Sequence, residues 1–517
     1  MSVWRETPTL TGRHVTLRPL HHDDRAALLE AFADLDQFTT FIPKPATIDG
    51  WYDQLDAEQA AGRALPFAVL DADGVVAGQS TRANASAPGP GYTALGVGML
   101  QSWLLEAVLR LPSRERVGRL IVSTHGAAFC AVDDRGLVLP PIDYEWDGYG
   151  DHRATFEQGL DPFDHTGSPN LPMGLNAGLQ LHWVKSARPD GWARIRHWLP
   201  YPQFWSWWLT GVAASEVSSL GCHTQLWSPA EGRFSRWAER SGIAERFAPV
   251  RPAWDVLGTL SPAMADHLGL SAACEVVCGV HDSNACLARY LDTPGATLLT
   301  TGTWTIAMAT GGGPVDLAPA RDELVNVAVD GRAVPTARFM GGREFAVLCA
   351  GAAPDAATVD ALAEVVHAGW QALPAFADAG GPWRGRRGAV TKHGATMNLA
   401  DVPAALRPAL AAWYCAVVSH DRVRALGDRG PVIVEGPLAR NTAFTTALSA
   451  LLGDGRPLQR STDTLEGTAR GAARLACWGD RHTQSPALGT LTAADAGLSG
   501  ALRRHADDWS TLQARST

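Results

Sequence analysis

The chain has 517 residues, of which 46% are hydrophobic and 19% charged, enough for two or three packed globular domains. Its net charge of −9, from 44 basic and 53 acidic residues with no basic tract, argues against nucleic-acid binding, because phosphate contacts need clustered Lys and Arg. No window approaches the roughly 18 apolar residues of a membrane span, and Met1–Leu10 lacks the apolar core of a signal peptide. We therefore expect a cytoplasmic protein with no membrane association.

The eight cysteines are scattered through apolar or mixed stretches and form no Cys-x-x-Cys pair. This distribution indicates buried free thiols in a reducing compartment rather than disulfides or a zinc site. The sequence assigns no metal ligands.

Residues 10–66 form a block of their own. Alternation of apolar residues and acidic helix starts predict one strand and two helices in it, over His14–Leu20, 23–35 and 47–61.

An Asp-Ala-Asp-Gly turn follows this block and separates Phe67–Leu70 from Val75–Ala77, which predicts a hairpin. Residues 83–98 are rich in Gly, Pro, Ser and Ala and are expected to be a loop. A helix is predicted over Ser102–Arg110.

The middle of the chain begins with a strand predicted over Arg119–Ser123 and a second hairpin around 133–136. Four tryptophans lie between positions 198 and 208. They could form a sugar-stacking or membrane-interface face, but the Leu and Phe residues among them favour a helix packed into a large core.

The last third alternates helices and a strand, over Ala404–Val418, Pro431–Val434 and Asn441–Leu452. Strand–helix alternation in both halves predicts an α/β chain of two large lobes.

Three apolar strands run into turns with polar residues. The first ends in Gly302-Thr303, which is either a phosphate-holding turn or a plain strand turn. The second ends in Gly436 and is followed by Asn441, which either lies near a nucleotide base or caps the next helix.

The third strand, Val276–Val280, ends in His281-Asp282. An Asp just past a strand end suits a general base that takes a proton from a hydroxyl. It equally suits a residue that caps the helix starting at Ser283.

Together these turns resemble the FGGY carbohydrate kinase family, from about residue 67 to 476. Further segments agree in order and spacing: Ser123–Ala128, Tyr201–Gly211, Ser215–Ser218, Thr224–Trp227, Gly341–Phe345 and Glu466–Ala473. The resemblance implies an α/β fold of two ribonuclease-H-like, actin-like ATPase lobes. A cleft between them would close over ATP and a sugar or polyol.

The same resemblance implies roles for the acceptor side of the site. Asp282 would be the catalytic base that deprotonates the sugar hydroxyl. His125 and Asn284 would contact the sugar, with Glu145 as a further polar contact from a neighbouring strand.

On the nucleotide side, the resemblance places Gly302 and Thr303 at the transferred phosphate, and Gly436 and Asn441 near adenosine. Phosphoryl transfer also requires Mg²⁺ to neutralise charge, so ATP and Mg²⁺ are expected.

One departure from the family is clear. Its kinases open with a strand and an Asp-x-Gly-Thr/Lys-Thr turn, and this sequence has none; Asp71 and Asp73 fit hairpin-turn residues. That first strand lies centrally in the lobe, so we expect His14–Leu17 or the strand at 67–70 to take its place.

The segment in front resembles another family. Leu10–Leu20 and the helix after it are similar to the opening of a GNAT-type acetyltransferase, over about residues 10–80. The acetyl-CoA pyrophosphate turn of that family has no counterpart here.

We therefore expect an N-terminal α/β fragment at 1–66, an N-terminal kinase lobe at 67–290 and a C-terminal lobe at 291–517. The expected activity is ATP-dependent phosphorylation of a ketose or polyol, impaired by the missing turn; L-fuculose, L-rhamnulose and xylulose all stay open. The alternatives are a non-catalytic sugar-binding pseudokinase and an acetyltransferase. Sugar and ATP are the expected partners, and a homodimer is compatible with the sequence.

Overall fold

The computed structural model describes the backbone of short strands between residues 10 and 88 and most of the chain from residue 91 onward. The described ranges are 10–11, 16–19, 64–70, 76–83, 86–88, 91–111, 114–311, 316–377, 380–427, 429–462, 466–478, 486–491 and 495–515. These residues fall into two compact units. The first comprises the described part of 1–115 with 140–143 and 267–269, and the second contains the rest.

The first unit contains an antiparallel sheet of four strands in sequence order, Leu10–Thr11, Thr16–Pro19, Ala64–Leu70 and Val76–Ala83 (β1 to β4). Pairing of β3 with β4 confirms the predicted hairpin. β2 pairs with β3, with Leu17 opposite Val69, so both strands expected to enter the sheet of the kinase lobe, predicted at 14–17 and 67–70, lie in this separate sheet instead. The helices predicted at 23–35 and 47–61 and the turn residues Asp71 and Asp73 lie outside the described residues.

The predicted loop at 83–98 is wrong in part. It contains the paired strands Ser86–Pro88 and Thr93–Leu95 (β5 and β6), and helix Val97–Leu109 (α1) starts within it. β6 is also held from outside, because Leu95 N–H donates to the Pro141 carbonyl at 2.8 Å. Such a pairing partner, distant in sequence, overrides the loop-forming composition.

Residues 116–290 supply ten strands and nine helices to the described structure. The strands are Arg119–Leu120, Ser123–Thr124, Phe129–Asp133, Gly136–Leu139, His197–Pro200, Trp227–Ser228, Arg233–Phe234, Val256–Thr259, Glu275–Val277 and Val280–His281 (β7 to β16). The helices are Asp151–Gly159, Phe163–Thr166, Ala177–Ala187, Pro189–Arg194, Tyr201–Thr210, Val217–Leu220, Arg236–Arg240, Pro262–Leu268 and Asp282–Ala288 (α2 to α10).

Two strands that the sequence predicts as continuous are each broken in two. β7 pairs in parallel with β15, and β8 with β16, with Ser123 opposite Val280. The break between β15 and β16 falls at Gly279, whose φ of 97° lies in the left-handed region that favours glycine. The hairpin predicted around 133–136 is confirmed as β9–β10.

The tryptophan-rich segment forms α6, a helix packed into the core, as predicted. Its Phe204 and Trp205 are buried. Polar residues of the helix hold the broken strand: Gln203 Nε2 donates to the Gly279 carbonyl at 2.9 Å, and Ser206 Oγ to the Val277 carbonyl at 3.0 Å.

Residues 291–517 supply ten strands and six helices to the described structure. The strands are Thr297–Thr301, Thr305–Ala309, Glu323–Val327, Ala333–Phe339, Trp370–Leu373, Ala389–Lys392, Ala395–Met397, Val432–Glu435, Leu458–Ser461 and Leu488–Thr490 (β17 to β26). The helices are Gly341–Cys349, Val359–His367, Arg407–Ala425, Thr442–Leu452, Gly467–Ala476 and Ala496–Arg515 (α11 to α16).

Seven of these strands form one sheet in the order β19-β20-β18-β17-β24-β25-β26. β17, β24 and β25 run parallel to one another, which is the strand–helix alternation that the sequence predicts. The predicted strand and two helices of this region correspond to β24, α13 and α14. Helix α13 is apolar nearly all round and lies in the core, with Trp413 and Tyr414 fully buried.

The eight cysteines are free thiols, and all except Cys477 are buried, as expected. None of the described helices is both long and apolar enough to span a bilayer.

Candidate active site

A cleft of about 1240 Å³ opens in the second unit, lined by residues between Arg119 and Cys477. Strand ends and helix starts from both halves of that unit surround it. Of the predicted site residues, it brings together Asp282, His125, Gly302, Thr303 and Gly436.

The two glycine turns lie side by side because they follow the parallel strands β17 and β24. The Thr301 hydroxyl links them: it donates to the Glu435 carbonyl at 2.6 Å and accepts from Leu438 N–H at 3.1 Å. A side chain at Gly436, whose φ is 89°, would overlap the Thr301 carbonyl. This contact sets Gly436 beside the Gly302-Thr303 turn.

Helix α15 begins on the same side of the cleft. Glu466, Gly467 and Thr468 line it at the helix start, and Thr468 Oγ1 lies 3.5 Å from the Asp282 carbonyl oxygen. The helix N-terminus presents unpaired N–H groups and positive potential to a bound anion. Gly471 of α15 packs so closely on Ala285 of α10 that a side chain there would overlap the Ala285 carbonyl.

Asp282 is the first residue of α10, and its side chain is 42% exposed in the cleft. Its Oδ1 accepts the Ser283 N–H at 2.6 Å, but the helix starts at Asp282 itself, so this carboxylate lies in the first turn and is not the helix cap. The other carboxylate oxygen of Asp282 can accept a proton from a hydroxyl in the cleft.

Behind Asp282 lies a buried group of His281 and Cys222. His281 Nε2 is 3.2 Å from Asp282 Oδ1 and 3.5 Å from Cys222 Sγ. Burial acts to lower the pKa of His281, but Cys222 and the Asp282 carboxylate outweigh it and raise this pKa to about 9. His281 is therefore charged at neutral pH and holds Asp282 from behind.

The acceptor half of the cleft is formed by aromatic and imidazole rings. His125 follows β8, and its ring lies 5.6 Å from that of Tyr144 and 5.3 Å from that of Tyr201. His223 lines the same region, with Nδ1 2.9 Å from the Leu175 carbonyl oxygen. Rings with polar edges are suited to the apolar faces and hydroxyls of a sugar.

Three predicted site residues do not line the cleft. Asn284 is buried behind His281, with Nδ2 3.3 Å from His281 Nδ1. Glu145 is exposed to solvent, next to Tyr144, which does line the cleft. Asn441 caps α14 by accepting the Phe444 N–H at 2.9 Å.

Sequence reasoning misses several side chains that line the cleft: Arg119, Tyr144, Cys222, His223, Trp304 and Arg338. Tyr144 and Trp304 each adjoin a residue that it did single out. Arg119 and Arg338 are placed by strand pairing distant in sequence, and Cys222 and His223 lie in the segment after α7, so none of the four carries a local motif.

The solved and curated relatives agree with this architecture. The model of the FGGY family of carbohydrate kinases, N-terminal domain, matches residues 163–288, and that of the carbohydrate kinase FGGY C-terminal domain matches 293–485. A carbohydrate kinase structure from Novosphingobium aromaticivorans is 36% identical, with a TM-score of 0.74 over 88% of this chain and 97% of that chain. The protein thus belongs to the FGGY family of carbohydrate kinases, with the predicted two-lobed actin-like ATPase fold.

More distant matches are named for different sugars. L-fuculokinase of Salmonella typhi is 28% identical over 217 residues, which are 41% of this chain and 44% of that protein, so the match spans less than half of this curated relative. The xylulose kinase of Rhodospirillum rubrum is 20% identical with a TM-score of 0.67, over 88% of this chain and 96% of that chain, and shows the shared fold.

The raised pKa of His281 predicts a charge that titrates well above neutral pH. Burial acts to raise the pKa of Cys222, but His223 and His281 lower it well below its ordinary value, so His281 and Cys222 titrate as a coupled pair. NMR titration of the His281 ring should give a pKa of about 9 in wild type and a lower one in Cys222→Ala, which removes the strongest of the neighbours that raise it. A wild-type value near the ordinary imidazole pKa of about 6.5 would contradict the assignment.

Proposed function

We propose that the protein transfers the γ-phosphoryl group of ATP to a hydroxyl of a ketose or polyol. The observation that carries this is the single cleft that holds Asp282 together with the two linked glycine turns. The names of the relatives, L-fuculokinase and xylulose kinase, favour L-fuculose or xylulose as acceptor, and L-rhamnulose stays an expectation from the sequence.

Asp282 would take the proton of the acceptor hydroxyl as that oxygen attacks the γ-phosphorus, and the bond to the β-phosphate oxygen would break. The amides of the Gly302 turn and the Thr303 hydroxyl would hold the transferred group. His125 and Tyr144 would position the sugar. Phosphoryl transfer depends mainly on such positioning and on charge stabilisation.

Mg²⁺ would be carried by the nucleotide. Among the described residues no group of three or more His, Cys, Asp and Glu is arranged around a metal position. Mg²⁺ binds through one or two carboxylates plus substrate phosphates, and Asp282 and Glu466 are carboxylates that line the cleft. This donor set fits an ion bound with ATP, where it would neutralise phosphate charge.

The remaining expectations are part of the same proposal. Asn284 would position His281, Asn441 would hold the helix beside an adenosine site, and Glu145 would reach the sugar only from the rim. The boundary between lobes at 290/291 is supported by the family matches, which end at 288 and begin at 293, and the start of the first lobe at residue 67 stays a prediction. A cytoplasmic location, a homodimer and the acetyltransferase-like character of 10–80 stay predictions.

A sugar-binding pseudokinase is the second candidate, and the missing Asp-x-Gly-Thr/Lys-Thr turn favours it. If that turn matters, a version of the protein with a restored Asp-x-Gly-Thr strand should phosphorylate the sugar much faster than wild type in an ADP-release assay, while the sugar affinity of both stays similar. Equal rates would show that this protein manages without the turn.

Asp282→Asn tests the catalytic base. The amide cannot accept the proton, so kcat should fall by about 10² or more while calorimetry shows unchanged sugar binding. Asp255→Asn, whose parent residue pairs with Arg251 outside the cleft, is the matched control and should keep full activity. Full turnover by Asp282→Asn would remove Asp282 from the mechanism.

Thr303→Val tests the phosphate turn. Loss of its hydroxyl should raise the KM for ATP by about fivefold or more and leave that for sugar nearly unchanged, because only the transferred phosphate contacts it. Thr490→Val, on the exposed edge strand β26, is the control. Equal rises in both KM values for Thr303→Val would indicate a packing defect instead.

A further inference from the structure

Arg338 is a buried cation in the wall of the cleft, and one of its guanidinium donors is unsatisfied. Only 5% of the residue is exposed, and it lines the cleft from β20. Its Nε donates to Asp322 Oδ1 at 3.0 Å, and its guanidinium carbon lies 4.6 Å from the centre of the Trp304 ring. Its Nη2 is buried and has no acceptor.

A second unpaired polar atom lies on the same wall. Asn326 of β19 is 4% exposed; its Nδ2 donates to Thr336 Oγ1 at 3.2 Å, and its Oδ1 receives no hydrogen bond. Thr336 and Arg338 are two residues apart on β20 and therefore share a face of the sheet. The wall thus offers one donor and one acceptor that the protein leaves unsatisfied, and buried groups of this kind normally have partners.

The wall lies on the acceptor side of the phosphate turn. Trp304, under the guanidinium, directly follows Thr303. At the other edge of the wall, β19 contacts two glycines of the preceding lobe. Val325 N–H donates to the Gly167 carbonyl at 2.9 Å, and Val327 packs against Gly221. Gly221 leads into Cys222 and His223, which line the same cleft as Asn326 and Arg338.

The charge balance of the cleft indicates what Arg338 can bind. Burial acts to raise the pKa of Asp322, but Arg338 and the Gly381 N–H outweigh it and the pKa lies below its ordinary value, so Asp322 stays charged. The other basic side chain of the cleft besides its histidines, Arg119, pairs with Glu275 at 2.5 Å. A carboxylate ligand would bring a second negative charge to a buried cation that Asp322 already neutralises, and that extra charge would be removed from water. A neutral oxygen would add no charge.

We propose that Arg338 Nη2 binds a neutral carbonyl or hydroxyl oxygen of the acceptor, that Asn326 Oδ1 accepts an adjacent hydroxyl, and that the Asp322–Arg338 pair selects neutral ketoses over sugar acids. This rests on the proposed function for the identity of the acceptor. Arg338 is on this view a specificity-determining residue of the C-terminal lobe.

The test is the variant Arg338→Met. Its KM is measured for ATP and for the ketoses L-fuculose, L-rhamnulose and D-xylulose, and calorimetry gives its dissociation constant for each sugar alone. The ketose KM and dissociation constant should rise about tenfold or more, with the ATP KM changed less than about twofold. Arg332→Met, on the turn of the same β19–β20 hairpin and paired with Asp330, is the matched control and should behave as wild type. Arg338→Met leaves the Asp322 carboxylate buried without its cation. If this variant does not fold, the same measurements are made on the double variant Asp322→Asn/Arg338→Met, which removes both charges.

Asp322→Asn tests the charge argument. It leaves the guanidinium unneutralised and should raise kcat/KM for D-gluconate relative to the ketoses.

The outcomes separate the two proposals. Three results would each overturn the inference and leave the kinase function standing. Folded Arg338 variants phosphorylate the ketoses as wild type does, their KM rises for ATP alone, or the wild type prefers D-gluconate. Ketose binding that depends on Arg338 without phosphoryl transfer supports the inference and overturns the kinase function. A wild type that neither binds nor phosphorylates a neutral ketose overturns both.

Discussion

Parallel strand pairing is the constraint on which the site depends. Parallel strands end at the same edge of a sheet, so the turns after β17 and β24 meet there, and the Thr301 hydroxyl joins them. The same geometry operates in the other half, where β8 and β16 end together and bring His125 beside His281 and Asp282. Each strand thus delivers its polar residues to the cleft without needing a long loop to do so.

Buried charges hold this arrangement in one register. Glu435, at the end of β24, receives hydrogen bonds from Arg289 at 3.1 Å and from Ser461 at 2.8 Å, and also from Tyr290. Removing one member of such a group leaves an uncompensated buried charge, which costs several kcal/mol. The group therefore favours one relative placement of α10, β24 and β25, and with it the distance between Asp282 and the Gly302 and Gly436 turns.

The departure from the family pattern lies on the opposite side of the cleft. Within the described residues, β7 pairs with β15 alone and β8 with β16 alone. Arg119 and Ser123 of these two strands line the cleft, and Ser123 Oγ is buried without a partner. An edge of this kind is where a further strand would pair, and it is this edge that the chain leaves without an Asp-x-Gly-Thr/Lys-Thr turn. On the proposed function, the phosphate contacts would come from the Gly302 and Gly436 side.

The sequence by itself determined the α/β class, the strands β17 and β24 of the C-terminal lobe, the core helix α6 and the turns that carry Asp282, Gly302, Thr303 and Gly436. These features are local: apolar runs, glycines and caps act within a few residues. The tertiary structure alone decided that Tyr144 rather than Glu145 lines the cleft and that Asn284 lies behind His281. It also decided that His281 is charged beside Cys222 and that Arg338 is held by Asp322. Those outcomes depend on strand pairing and burial between residues far apart in the chain, and a local pattern carries no record of either.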